Sequence, residues 1–304
     1  MGVYSGRFGV AHKNKPPGGT FEPISAVRNW TVSETSEPTR IVASHTKGGS
    51  QKVPGIKDWN GSAAAWGGNP VLLPGDLFTF KGYTAPDNGV FGGTGTILQG
   101  DAYVMQFILN LNWEGNESVN QSFDFNGSGA LEFPAAEFLE DDTSPNIGSI
   151  CELKIEQSTD GTTFTPIENI ATATLTITND VTEYVNSSTN CYNGRIPGPI
   201  DWTLSLNLHD NVRPIPIQEN RIFKIWINKT DFWLLEWGHV DSYSDLSVNI
   251  ETGEIISQTL NAQMSGFDES GGVGQIVLPD KTVWWPQAAA TVVSTVQGVN
   301  NIPA

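Results

Sequence analysis

PGIKDWNGS, residues 54–62, and PGPIDWTLS, residues 197–205, stand 143 positions apart and read as one motif written twice. The same shift lays GGTFEPISAV (18–27) on GTTFTPIENI (161–170) without a gap. Over residues 10–62 and their counterparts, 16 of 53 positions are identical, where chance gives about three or four. Substituted apolar positions stay apolar, as in Val10/Leu153, Val27/Ile170, Val32/Leu175 and Val53/Ile196. Further on the match resumes with a changed offset. LFTFKGY (77–83) resembles IFKIWIN (222–228), and VNQSFDFNGSG (119–129) resembles ISQTLNAQMSG (256–266). A duplicated unit accounts for most of the chain. It predicts a first domain over 1–133, an acidic linker over 134–148, a second domain over 149–280 and a tail over 281–304.

Each copy reads as β structure. YVMQFILNLNW (103–113) and ATATLTITND (171–180) alternate in the strand period, and IFKIWI (222–227) has the density of a strand covered on both faces. The Asp-Gly of STDGTTF (158–164) marks a hairpin turn. Helical periodicity is confined to PAAEFLED (134–141) and a short turn near Ala63–Trp66. The expectation is a mainly β protein of two tandem sandwiches or partly open barrels, each of about seven or eight strands with room for one short helix. In the repeated motif Pro54-Gly55 and Pro197-Gly198 predict a tight turn. Asp58 and Asp201 then bond local amides, and Trp59 and Trp202 plug the core. The copies differ in their loops: 84–101 is long in the first, and 238–254 is extended in the second.

Composition excludes several classes. The 304 residues carry 16 Lys+Arg against 33 Asp+Glu, net −17, the wrong sign for a protein that neutralises phosphates. With 38% apolar and only 16% charged residues, the chain is folded rather than a disordered acidic tail. No run of 18 apolar residues offers a membrane helix, and the opening MGVYSGRFGVAHKNK lacks the apolar stretch of a secretory signal. Cys151 and Cys191 match no metal spacing and read as free thiols. His12, His45, His209 and His239 have no ligand neighbours at coordinating distance in sequence. GVFGGTGTILQG (89–100) lacks the Gly-Lys-Ser/Thr ending of a phosphate loop, and no Ser lies in a nucleophile elbow. Glu140, Asp141 and Asp142 are adjacent and solvated, unlike the separated carboxylates of a glycosidase. No catalytic, cofactor or metal site is expected. The 10 Trp leave a glycan-binding module as the alternative reading, since aromatic rings stack on sugar faces.

A variable loop, then P-G-x-x-D-W-x-x-S, then a β-rich remainder resembles the major tail, or tail tube, proteins of long-tailed bacteriophages. The tandem copy resembles tube proteins that build pseudo-hexameric rings from three two-domain subunits. The resemblance implies two orthogonally packed sheets flanking a helix, and inner sheets that join around a lumen. It implies that loops Ser44–Lys57 and Ser187–Ile200 reach the adjacent ring, and that DNA passes without specific binding. The implied partners are further copies of the chain and tape-measure, tail-terminator and tail-tip proteins. The implied location is the virion tail, assembled in the host bacterial cytoplasm, with no membrane and no cofactor.

Charge is unevenly spread. Residues 1–60 hold eight basic against four acidic groups, whereas 149–280 hold six against 18. Arg7, Lys13, Lys15, Lys47, Lys52, Lys57 and Arg195 are therefore the expected contacts to acidic surface on a neighbouring subunit. An acidic lumen that repels DNA is the companion expectation.

Overall fold

The computed structural model describes residues 10–24, 26–41, 50–84, 96–114, 119–134, 152–185, 192–210, 212–247, 256–265 and 274–285. The linker, the tail beyond 285, both cysteines and the candidate helix at 134–141 fall mainly or wholly outside them. Among the described residues there is no α-helix.

Fourteen strands make up the two repeats. The first holds β1 (Val10–Asn14), β2 (Glu22–Pro23), β3 (Val27–Ile41), β4 (Gln51–Trp66), β5 (Leu77–Thr84), β6 (Thr96–Asn112) and β7 (Val119–Gly127). The second holds β8 (Lys154–Ser158), β9 (Thr165–Pro166), β10 (Ile170–Tyr184), β11 (Gly194–Leu208), β12 (Asn220–Trp226), β13 (Phe232–Ser247) and β14 (Ser257–Met264). Two short strands, β15 (Ile276–Val277) and β16 (Val283–Trp285), close on β13. The bounds of β2/β9 and β3/β10 coincide at the 143-residue spacing. Pairing order is also the same: β2-β1-β5-β6-β7-β4-β3 in one repeat and β9-β8-β12-β13-β14-β11-β10 in the other. The ladders fix the later alignment too. Phe123 lies opposite Ala63 and Leu260 opposite Leu206, the offset read between 119–129 and 256–266.

The cores follow from strand alternation. In β10, Ala171, Ala173, Leu175 and Ile177 are buried while the intervening threonines are half-buried. Trp59 packs edge-on against Phe125 at 6.2 Å and donates its indole N–H to Gly129 O at 3.0 Å. Trp202, at the same repeat position, is 1% exposed and packs edge-on against Phe223 at 6.5 Å. The main chains of Gly100 and Gly127 lie so close to Trp59 that a Cβ on either would overlap the indole. Burying an indole of this size is worth about 3–5 kcal/mol against alanine.

Three expectations change. Pro-Gly does not make a turn: Pro54, Gly55, Pro197 and Gly198 lie inside β4 and β11, at bulges against Glu37/Thr39 and Asn179/Val181. A Cβ on Gly55 or Gly198 would overlap a carbonyl oxygen of the partner strand, Glu37 O or Asp180 O, so glycine is required by close approach. The Asn179 amide bridges this bulge, donating to Gly198 O at 3.0 Å and accepting from Gly198 N at 3.2 Å. Consequently Gln51–Lys57 and Gly194–Ile200 are strand rather than loop. Ala63–Trp66 is the end of β4 and not a helical turn; Ala63 and Ala65 are buried between flanking strands, where small side chains fit. The third change concerns separateness. The two repeats share one continuous sheet, because β6 gives one edge to β5 along 96–103 and then to β10 along 106–112.

Candidate assembly surface

The joint between repeats is built from seven antiparallel residue pairs, from Thr172↔Asn112 to Thr178↔Gln106. Side chains seal it on the core side. Phe107, Leu109, Leu111 and Leu73 of the first repeat belong to the apolar cluster of the second. Phe107 stacks on Trp233 at 5.4 Å, and the Trp233 indole donates to Gly68 O at 3.0 Å. Trp113 donates through its indole to Leu153 O at 3.3 Å.

Where the start of β11 approaches β4, the joint carries an ion cluster around a buried cation. The Arg195 side chain is 1% exposed. Its guanidinium forks onto Asp58, Nη1 to Oδ1 at 3.0 Å and Nη2 to Oδ2 at 2.7 Å. It also donates to Glu183 Oε1 from Nε at 3.1 Å and Nη2 at 2.7 Å, and to the Gly127 carbonyl. Burial pulls the guanidinium pKa down, but the hydrogen bonds and charges of Asp58 and Glu183 outweigh it and hold the pKa above its ordinary value. Asn193 joins the cluster by donating to Asp58 Oδ2 at 3.3 Å. Asp58 also does what the motif predicted, accepting Trp59 N at 2.9 Å, as Asp201 accepts Trp202 N at 2.7 Å.

The other expected contact residues divide. Lys13 pairs with Glu22 at 3.7 Å and Lys15 with Asp76 at 2.7 Å, both within the chain. Lys57 lies over the Tyr192 ring at 5.6 Å, across the joint. Lys52 is exposed on β4. Arg7 and Lys47 fall outside the described residues. Sequence reading missed Glu183, although its register opposite Arg195 follows from the hairpin.

The segments that the joint covers have repeat counterparts that are less buried. On β10 Ala173, Leu175 and Ile177 are buried, whereas their counterparts on β3 are half-buried Trp30 and Val32 and exposed Glu34. The first repeat's connection buries Gly67, Gly68, Leu72, Leu73 and Pro74. The second's leaves Val212 and Ile217 exposed at 60% and 41%. The β3 edge away from β4 has no partner among the described strands. Neither has β13 over Ser242–Ser247, on the edge away from β14.

Opposite the core, the eight strands β3-β4-β7-β6-β10-β11-β14-β13 present a polar face rich in hydroxyl and amide groups. Thr31 and Ser62 share a hydrogen bond at 2.9 Å, and Asn110 links Asn120 to Thr174 at 3.2 and 3.0 Å. Ser205 donates to Asn261 at 3.1 Å, and Asn261 donates to Ser242 at 3.2 Å. Along the alternate positions of this face, between 29–35, 58–64, 106–112, 120–126, 172–178, 201–207, 257–263 and 242–244, the charged residues are Asp58, Asp124 and Asp201, with no Lys or Arg.

All ten Trp are described, and each is buried or half-buried. Among the described residues no group of His, Cys, Asp and Glu is arranged to hold a metal. No helix is long and apolar enough to cross a membrane.

No protein-family model matches the chain, and no curated protein matches it. Among solved structures, the chain is similar to one in the tail of an empty GTA particle, computed with helical refinement in C6 symmetry. That chain is 17% identical, with 44% of this chain and 100% of that one covered and a TM-score of 0.32.

Proposed function

We propose that the chain is a non-catalytic tail-tube subunit. Three copies close a pseudo-hexameric ring, and stacked rings form the conduit for ejected DNA. The observation that carries this reading is the internal joint. A sheet already continued from one repeat into the next has the same two edges open at its ends, and unpaired edges are tolerated when assembly pairs them. Repeating the β6–β10 register on the open edges places Ser33 of one copy opposite Ser244 of the next, and Thr35 opposite Ser242.

The dimensions fit. Each chain supplies eight wall strands. Three chains spaced at about 4.8 Å per strand give a barrel roughly 37 Å across between backbones, which strand tilt widens further. Side chains reaching about 5 Å inward still leave room for a duplex about 20 Å wide. On this reading this hydroxyl and amide face, whose charged groups are all aspartates, lines the lumen. Such a wall offers phosphates no cation to bind and no counterions to release. The hairpin ends, with Val53, Ile56, Tyr184 and Ile196 exposed, are the contacts for the next ring and for terminator and tip proteins.

Negative-stain microscopy of the purified chain tests the proposal. Hollow tubes or closed rings are expected; a chain that stays monomeric at high concentration and binds glycan arrays overturns it.

A further inference from the structure

We infer that the joint between subunits is closed by an ionic latch of opposite composition to the internal one: Lys52 and Arg40 of one chain on Asp201 of a second copy. The inference rests on the ring reading and goes a step beyond it.

Internally, Arg195 is a cation held by two carboxylates, Asp58 across the joint and Glu183 beside it in the same hairpin. Glu183 and Arg195 are direct cross-strand partners in β10–β11, and their counterparts Arg40 and Lys52 are direct partners in β3–β4. The first hairpin thus sets two cations side by side, both exposed. Like charges opposite each other on a strand pair are unfavourable, and a carboxylate placed between them relieves the repulsion. The counterpart of Asp58 is Asp201, also exposed and held in the same way, through its Oδ1, by the amide of the following tryptophan. Closing the outer joint in the internal register brings Asp201 of one copy to Lys52 and Arg40 of the next. The charge pattern inverts from two anions on one cation to two cations on one anion.

The inversion has a consequence. Lys52, which stands at the position of Arg195, is a point charge and does not reproduce its two-pronged guanidinium–carboxylate contact, and Arg40 and Lys52 are both exposed where Arg195 is buried. The outer latch is therefore looser and more exposed to screening than the internal one. Rings then open and close with ionic strength while each chain stays intact at its own joint.

The test uses the full chain, with assembled mass followed by light scattering against sodium chloride and the particles viewed by negative stain. The wild type is expected to lose assembly as salt rises, and Lys52→Arg to withstand more salt. Lys52→Glu with Arg40→Glu, both on exposed positions, should weaken assembly at least about tenfold. Adding Asp201→Lys to that pair should restore it. Asp201→Asn, which keeps an Oδ1 acceptor for Trp202 N, should weaken assembly while leaving the tryptophan near-UV signal unchanged. If the wild type assembles and these variants assemble identically at every salt concentration, the latch is wrong and the ring reading stands. If the wild type never assembles, the ring reading falls and takes the latch with it.

Discussion

Replacing Arg195 by alanine removes the cation at the centre of the internal joint. The side chain is 1% exposed, and its partners differ in their access to water: Asp58 is 30% exposed and Glu183 50%. Full loss of a buried partner costs about 3–5 kcal/mol. Here both carboxylates can recover part of their hydration, so the Coulombic share must be discounted. What remains is the Gly127 carbonyl left without its donor, at about 1–3 kcal/mol, and the emptied volume of the side chain. We expect a total of about 3 kcal/mol for Arg195→Ala and under about 1 kcal/mol for Glu183→Ala, whose carboxylate is half in water. Urea unfolding of the unassembled chain, read by tryptophan fluorescence, measures both. At a slope of about 3 kcal/mol per molar, the Arg195→Ala midpoint should fall by about 1 M. The argument is refuted if that midpoint moves by less than about 0.2 M, or if Glu183→Ala costs as much as Arg195→Ala.

Gly127→Ala drives a methyl group into the Trp59 indole and should destabilise the chain by about 1–3 kcal/mol. In a Trp59→Phe background the penalty should shrink, with a coupling above about 0.5 kcal/mol in a double-mutant cycle; strict additivity would show that the two do not touch. Burial raises the Glu236 carboxyl above its ordinary 4.5, against the pull of the Gln275 amide. A raised folded pKa means stability present below the unfolded value and lost as pH rises through the folded one. Thermal melts of wild type and Glu236→Gln should therefore change relative to each other as pH rises from 4.5, the wild type losing ground; a constant difference across that range contradicts the assignment.

The duplicated frame was open to sequence because it lies in side chains. Trp59 and Trp202, the alternating strands and the offset of 119–129 against 256–266 all leave a mark that a shift of the chain detects. What was hidden resides in the main chain or in register. Pro-Gly is a strong local turn signal, yet in both hairpins the pairing of the long flanking strands continues past it and absorbs the irregularity as a bulge. The β6–β10 ladder is made by backbone groups, and its mark in side chains is small: Ile177 on β10 where β3 has Glu34. Arg195 was visible as a charge and was assigned outward. Its burial follows only once Asp58 is brought across the joint, although Glu183, opposite it in the hairpin, was a usable clue. Net charge gives the sign of this face but not its composition, since it counts acids without placing them.

The joint between copies can be tested residue by residue. Ser33→Cys combined with Ser244→Cys puts one thiol on β3 and the other on β13, strands seven steps apart in the sheet order of one chain. That is about 34 Å along the sheet, far beyond disulfide reach within a single chain. Under mild oxidation of assembled protein, the account predicts covalent dimers and a closed trimer on non-reducing gels, with each single mutant remaining monomeric. Tubes or rings that form normally yet give no Ser33–Ser244 cross-link would contradict closure of the ring through these two edges.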